Sequence, residues 1–279
     1  MRVTYLGTTT LLFDDGTDQI LFDCHVSRPS MAACLFGRLS TDRTVAGKVI
    51  DEFRINRLRA IFISHTHYDH VMDAPYFAKR CGAGIFGSAS ALNVARGGNV
   101  DEKQLHSFET DTEFIIGNFR IKVIPSVHSA ARWYNNDLGE IIDAPLIQPA
   151  RMKDYKEGGS FDFLVNCEGK NLLIRPGYNH IEGQLDGIKA DILFLGIAGM
   201  SGDTENRKRR FFEETVDKVS PETVIPIHWD NFFRPLYAEI KPMRSLLINT
   251  AVSLLELENY CSSKGIEYLK LMPLTSTDF

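Results

Sequence analysis

Residues 65–70 read His-Thr-His-Tyr-Asp-His, which places three histidines and one aspartate within six positions. Imidazole and carboxylate groups are ligand types that zinc, iron and manganese take from proteins. In an extended chain alternate side chains point the same way, so His65 and His67 can bind one ion together. Asp69 and His70 follow beyond the turn, where they can face a second ion or the water between two ions. The spacing predicts a metal site, and a solvated polar loop is the simpler alternative.

The elements that must position these residues are strands. The motif follows the run Ala60–Ile63, whose β-branched and aromatic residues predict a buried strand. A loop at the carboxyl end of a strand can direct several side chains to one point. The same arrangement occurs twice more, since His128 follows a predicted strand at residues 119–125 and His228 follows one at 223–227. A three-histidine zinc site needs one ligand more than two alternating histidines supply.

The stretch 65–70 matches the HxHxDH signature of the metallo-β-lactamase-fold hydrolases, and the sequence resembles that family over most of its length. It is most similar to the branch that contains the ascorbate-6-phosphate lactonases and related phosphodiesterases. The resemblance implies an α/β fold, a four-layer αββα sandwich of two mixed sheets flanked by helices. We expect residues 1–279 to form a single domain of this kind, with insertions near 27–56 and 130–160.

The resemblance also implies which residues bind metal. One ion would be held by His65, His67 and His128, and a second by Asp69, His70 and His228. The catalytic residue would be Asp69, which would orient the attacking water or carry its proton. The implied cofactor is zinc, as one or two ions, with manganese or iron as alternatives.

One position departs from the family. Tyr178 stands where the family usually has an aspartate that bridges two metals. Three explanations stay open: a single bound metal, a weaker second site, or a bridge supplied by Asn179 or His180. His25 is interpreted as a loop or core histidine, because no partner ligands can be placed around it. Asp23, at the end of an amino-terminal strand, would be structural or would support a ligand.

A polar and aromatic stretch follows the histidine at position 128 directly. Loops beside a ligand often form the substrate pocket. Arg132 could hold a phosphate or carboxylate, and Trp133 and Tyr134 could stack on an apolar or cyclic group. Trp229, next to the last predicted ligand, is a further candidate. An exposed insertion with incidental aromatic residues is the alternative.

Sequence patterns outside the motifs predict alternating strands and helices. Residues 3–6, 10–13 and 19–23 are typical of an amino-terminal meander. Helices are predicted at 74–81, ended by Gly82, and at 88–95, with Ser88 as the cap. The later predictions are helices at 207–219 and 244–263, hairpins at 113–125 and 161–174, and strands at 190–195 and 267–271.

The composition excludes several classes of protein. With 279 residues, 44% hydrophobic and 24% charged, the chain is ordinary for a globular protein. The net charge of −5 does not favour a nucleic-acid partner. The five cysteines include no CxxC pair, which fits a reducing, cytoplasmic setting. No apolar run reaches the roughly eighteen residues of a membrane span. The oligomeric state stays open, a homo-oligomer included.

These observations predict a metal-dependent hydrolase with a small-molecule substrate. Bound divalent metal lowers the pKa of water from about 15.7 to about 7, which supplies a nucleophile at neutral pH. The predicted substrates are small and anionic: a phosphorylated lactone, a phosphodiester or a related ester. The alternative is a non-catalytic metal-binding or redox protein on the same fold. A redox protein of this kind normally needs a carboxylate bridge and a flavin domain, and neither is visible in the sequence.

Overall fold

A computed structural model describes residues 1–130, 136–245 and 248–279. Within them the chain forms two seven-stranded sheets. The strands are β1 (Arg2–Gly7), β2 (Thr10–Asp14), β3 (Gln19–Phe22), β4 (Leu58–Phe62), β5 (Gly84–Gly87), β6 (Leu105–Ser107), β7 (Glu113–Ile116), β8 (Phe119–Ser126), β9 (Ser160–Cys167), β10 (Lys170–Arg175), β11 (Ile192–Gly196), β12 (Thr223–Ile227), β13 (Glu267–Tyr268) and β14 (Thr275–Asp278). The helices are α1 (Met31–Phe36), α2 (Arg43–Glu52), α3 (Tyr68–Val71), α4 (Ala74–Cys81), α5 (Ala89–Gly97), α6 (Glu205–Phe212) and α7 (Thr250–Lys264).

Both sheets are mixed. The first has the order β14-β1-β2-β3-β4-β5-β6, antiparallel from β14 to β3 and parallel from β3 to β6. The second has the order β13-β12-β11-β10-β9-β8-β7, antiparallel from β7 to β10 and parallel from β10 to β13. Parallel neighbours end at the same edge of a sheet, which gathers the loops that follow them.

The two sheets pack against each other through aromatic side chains. Phe13 of β2 lies 5.8 Å from Phe194 of β11, and Phe22 of β3 lies 5.3 Å from Phe163 of β9, measured between ring centroids. Successive side chains of a strand face opposite ways. Leu12 therefore points outward, into a second apolar cluster formed with α2, α4 and α5. The predicted arrangement of two mixed sheets flanked by helices is confirmed.

Several element ends follow the predicted local chemistry. The Ser88 hydroxyl accepts a hydrogen bond from the Ala91 amide at the start of α5, at 3.4 Å. Gly82 ends α4 with a φ of 74°, in the left-handed region that glycine enters without a Cβ clash. The segment 27–56 carries α1 and α2, with Asp42 capping α2 through the amides of Thr44 and Val45.

The last predicted helix is wrong at its start. It begins at Thr250 instead of residue 244, because the chain turns back on itself first. The Ser245 amide donates to the Ile248 carbonyl at 2.7 Å, and Arg244 pairs with Asn249 in an isolated bridge. The strand predicted at 267–271 stops at Tyr268.

The helix predicted at 207–219 starts earlier and changes its winding. Thr204 caps α6 by accepting from the Arg207 amide at 3.3 Å, so the helix begins at Glu205. Residues Glu213–Asp217 continue as a π-helix. In the part of the chain that the structure describes, no helix combines the length and apolar character needed to cross a bilayer.

Candidate metal centre

Two neighbouring side-chain triads form where strands of both sheets end. The first comprises His65, His67 and His128, and the second Asp69, His70 and His228. Within each triad one ligand-type atom per residue lies within 4.8 Å of the others. The rings of His65 and His70 are 3.7 Å apart between centroids, so the triads adjoin. The six residues predicted as ligands are thus brought together.

The first triad is built from two loops. His65 and His67 occupy the turn between β4 and α3, and His128 follows β8. The rings are 4.7–5.0 Å apart between centroids. The buried Nε2 atom of His65 finds no hydrogen-bond partner among the described residues. Buried polar atoms usually have a bonding partner, and a metal ion would provide one for this nitrogen.

The second triad joins the first turn of α3 to the end of β12. The Asp69 carboxylate lies 3.5 Å from Nε2 of His228 and 3.8 Å from Nε2 of His70. His228 has a φ of 56°, a conformation that histidine adopts more readily than bulky residues. Its backbone amide donates to the Thr8 carbonyl at 2.5 Å, which anchors the end of β12 to the first sheet.

Two histidines of the first triad, His65 and His128, favour neutral imidazole, the form that binds metal. Burial and the neighbouring histidines lower the pKa of His65 well below its ordinary value. Burial, followed by the charge of His67, lowers the pKa of His128 to about 3. Protons therefore compete weakly with a metal for these two rings near neutral pH.

The second triad favours an ionised carboxylate. Burial alone would raise the pKa of Asp69, but the charge of His70 and the hydrogen bond and charge of His228 outweigh it and lower that pKa. Burial alone would lower the pKa of His70, but the carboxylates of Asp23 and Asp69 raise it. Before any reaction, Asp69 is therefore an ionised hydrogen-bond acceptor near neutral pH.

Residues 18–229 match the model of the beta-lactamase superfamily domain. The chain belongs to this family. The resemblance seen in the sequence is confirmed at that level, as is the prediction of an enzyme of the metallo-β-lactamase superfamily. The lactonase branch stays a prediction.

The relatives of this beta-lactamase superfamily member are distant. A UPF0173 metal-dependent hydrolase of Carboxydothermus hydrogenoformans is 22% identical over 238 residues, 83% of this chain and 86% of that protein. The structure of Igni18, a metallo hydrolase of Ignicoccus hospitalis, has a TM-score of 0.61 at 16% identity, covering 100% of this chain and 98% of that one. CmlA, a diiron β-hydroxylase of Streptomyces venezuelae, has a TM-score of 0.64 at 14% identity, covering 100% of this chain and 54% of that one. At these identities the structural similarity shows the fold alone, because one fold can host many reactions.

Tyr178, which stands where the family usually has an aspartate, contacts Phe211 and Asp203. The Tyr178 ring stacks edge-on against Phe211 at 4.6 Å, and its hydroxyl donates to the Asp203 carboxylate at 3.4 Å. It is therefore packed in the core. Its neighbour Asn179 donates through Nδ2 to the carbonyl of His128 at 2.7 Å, so this segment supports the first triad through the backbone.

Of the four residues predicted to contact substrate, the structure describes only Trp229. Arg132, Trp133 and Tyr134 lie outside the described residues. Trp229 is 1% exposed, with its ring packed in the core beneath the Lys270 ammonium, 5.1 Å from the ring centroid. This burial does not favour direct contact with a substrate, and the assignment of Trp229 as a substrate contact stays a prediction.

Sequence reasoning missed two groups beside the triads. Asp137 lies against His67, with Nε2 of the ring 3.2 Å from both carboxylate oxygens. Arg28 forms a fully buried ion pair with Asp230 behind the end of β12. Neither group could be found from spacing, because the partners are 70 and 202 positions apart in the chain. His25 is buried, and the structure agrees with its interpretation as a core histidine.

Proposed function

We propose that the protein hydrolyses a small anionic ester or phosphoester with metal held by the two adjoining triads. The observation that carries the proposal is their geometry: six metal-ligand side chains in two groups whose nearest rings are 3.7 Å apart. The family match supports the same class of reaction.

The donor sets fit divalent transition metals. His65, His67 and His128 would hold one ion, and three neutral imidazoles suit zinc. The residues that would hold a second ion are Asp69, His70 and His228. A carboxylate beside imidazoles suits zinc, iron or manganese, so the identity of the metal stays part of the proposal.

When bound, a divalent metal lowers the pKa of water to about 7 and polarises a carbonyl or phosphoryl oxygen. The protein supplies the orientation. The ionised Asp69 carboxylate, whose side chain is 12% exposed, can accept a hydrogen bond from the attacking water and align it. The same carboxylate can take up a proton and pass it to the leaving group.

The charge of the site favours an anionic substrate. Only one residue of the two triads, Asp69, carries a formal negative charge, since the others are histidines. Two divalent ions would therefore keep a net positive charge that attracts phosphate or carboxylate groups. A phosphorylated lactone, a phosphodiester or a related ester fits this class.

The test is a substrate screen on protein purified without chelator. Elemental analysis measures the metal, and rates are measured on phosphodiesters, phosphorylated lactones and carboxylic esters. We expect one class to be hydrolysed and His128→Ala to abolish that rate and loosen the first metal. His106→Ala is the matched control, because His106 is exposed and stacks on Phe86 at 4.4 Å. A metal-loaded protein inert towards all classes would favour a non-catalytic or redox protein instead.

A further inference from the structure

The carboxylate of Asp137 faces the imidazole of His67 outside both triads. The Nε2 atom of His67 lies 3.2 Å from Oδ1 and 3.2 Å from Oδ2 of Asp137. The side chains are 14% and 18% exposed, so the contact is largely shielded from water. The nitrogen thus sits between the two oxygens, which both accept from it.

Asp137 is fixed by a ring of hydrogen bonds that returns to the metal-binding turn. The backbone amide of Glu157 donates to Oδ2 of Asp137 at 3.1 Å. The carbonyl of Glu157 accepts from the amide of Thr66 at 2.9 Å. Thr66 directly precedes His67. Hydrogen bonds therefore link the backbone of Thr66 through Glu157 and Asp137 to the ring of His67.

The Glu157 segment is itself held tightly. The Glu157 carboxylate accepts from the Gly139 amide at 2.9 Å and from the Ser160 hydroxyl at 2.5 Å. The next residue, Gly158, has a φ of 70°, and a Cβ atom there would lie 2.4 Å from Oγ1 of Thr66. A larger residue has no room, so this backbone packs directly on the turn.

A carboxylate only accepts hydrogen bonds, so the proton of the neutral His67 ring must be on Nε2. The other ring nitrogen, Nδ1, is then the atom with a lone pair for metal. Outer-shell carboxylates that fix a ligating histidine in this way raise its basicity and set its orientation. The contact therefore selects one of the two tautomers before any metal arrives.

We propose that Asp137 is a positioning residue that holds His67 in the Nε2–H tautomer and presents Nδ1 to the first metal. The inference rests on the proposed function, since it assumes that the first triad binds metal. It goes further by linking the segment 136–158 to that triad through one side chain. Movement of this segment would change the affinity of the first metal without any change of ligand.

The first test reads the tautomer in metal-free protein. Histidine labelled with 15N is followed by two-bond proton–nitrogen NMR at pH 8 in the metal-free protein. We expect the Nε2–H pattern for His67 in the wild type and a mixture of tautomers in Asp137→Ala. Asp143→Ala is the matched control, because Asp143 is exposed in the same segment. A wild-type His67 with its proton on Nδ1 would overturn the proposal.

The second test measures zinc affinity by titration calorimetry with the same variants. We expect Asp137→Ala to weaken the tighter site by about 10–100-fold, the usual effect of losing an outer-shell partner. Asp137→Asn keeps one acceptor oxygen and should lose less, while Asp143→Ala should match the wild type. Unchanged affinity in Asp137→Ala would count against the positioning role. A wild type that binds no zinc would refute the proposed function, whereas the tautomer experiment would still decide the role of Asp137.

Discussion

Oδ2 of Asp23 lies 2.7 Å from Nδ1 of His70, and the same carboxylate accepts from the hydroxyls of Thr9 and Ser64 and from the Ser64 amide. The proton of His70 is therefore on Nδ1, and Nε2 faces Asp69 in the second triad. A carboxylate, a histidine and a metal in this order form a common outer-shell arrangement. Asp23 thus holds a histidine that we propose as a metal ligand, and its supporting role stays a prediction.

Asp23→Ala should weaken the second metal site by about 10–100-fold, because His70 loses the partner that fixes its tautomer. Titration calorimetry with zinc measures the change, and circular dichroism checks that the variant folds. Asp23→Asn is a milder second variant, and Asp278→Ala, at an exposed strand, is the control. Equal affinity in Asp23→Ala and wild type would contradict this role.

The second metal should bind more weakly than the first. Two cations in a dinuclear site lie about 3.5–4 Å apart, and a shared anionic ligand offsets their repulsion. The two triads share no residue among those described. Zinc titration of the metal-free protein should therefore resolve one tight and one weaker site, and two equally tight sites would show that another group provides the bridge.

Tyr178→Asp should destabilise the protein without strengthening the second site. The new carboxylate would lie against Phe211 and near the carboxylate of Asp203, where burial and like charge both oppose ionisation. We expect a loss above about 2 kcal/mol in the free energy of unfolding, measured with urea. Tyr178→Phe, which keeps the ring, is the control. A tighter second metal in Tyr178→Asp would place this segment at the bridge after all.

Arg28→Met should cost about 3–5 kcal/mol, because it leaves the Asp230 carboxylate buried without its charge partner. That carboxylate also accepts from the Thr8 amide at 2.8 Å and the Tyr5 hydroxyl at 2.6 Å, and Asp230 is fully buried. Urea unfolding measures the loss.

The exposed pair of Arg2 with Asp278 is the matched control for that experiment. Arg2→Met should cost less than about 1 kcal/mol, since exposed ion pairs contribute little. Replacing Asp230 as well, in Arg28→Met/Asp230→Asn, should recover part of the stability. If Arg28→Met lowers the free energy of unfolding no more than Arg2→Met does, the prediction is wrong.

His25 should make the metal-free protein less stable in acid. Burial lowers the pKa of His25 to about 3, so below about pH 6.5 only the unfolded chain binds this proton. Stability is then lost as pH falls from about 6.5 towards 3, at up to about 1.4 kcal/mol per pH unit for one group.

His25→Phe should flatten this pH dependence, because it keeps a ring against Tyr68 and Phe232 and removes the titrating group. Urea unfolding at pH 7.5 and pH 5 measures the difference, with His106→Phe as an exposed control. Parallel pH profiles for wild type and His25→Phe would show that other groups dominate.

The sequence predicted what local patterns encode. The apolar runs ending at the HxHxDH motif, before His128 and at His228 placed six side chains that the structure brings together. It did not predict β14, because Thr275–Asp278 is a polar edge strand recognised only by its backbone pairing with β1. The contact of Asp137 with His67 was not predicted for a related reason. Asp137 lies in an irregular segment without periodicity, 70 positions from His67 in the chain. The single domain with insertions near 27–56 and 130–160 stays a prediction.

Each triad draws residues from both sheets, since the turn after β4 belongs to the first and the ends of β8 and β12 to the second. An ion bound there would act as a cross-link, and the sheets could not part without releasing it. Stability would then follow mass action, rising by about 2.7 kcal/mol when free metal is 100-fold above its dissociation constant. In a chelating medium, the folded chain would lose this contribution to its stability.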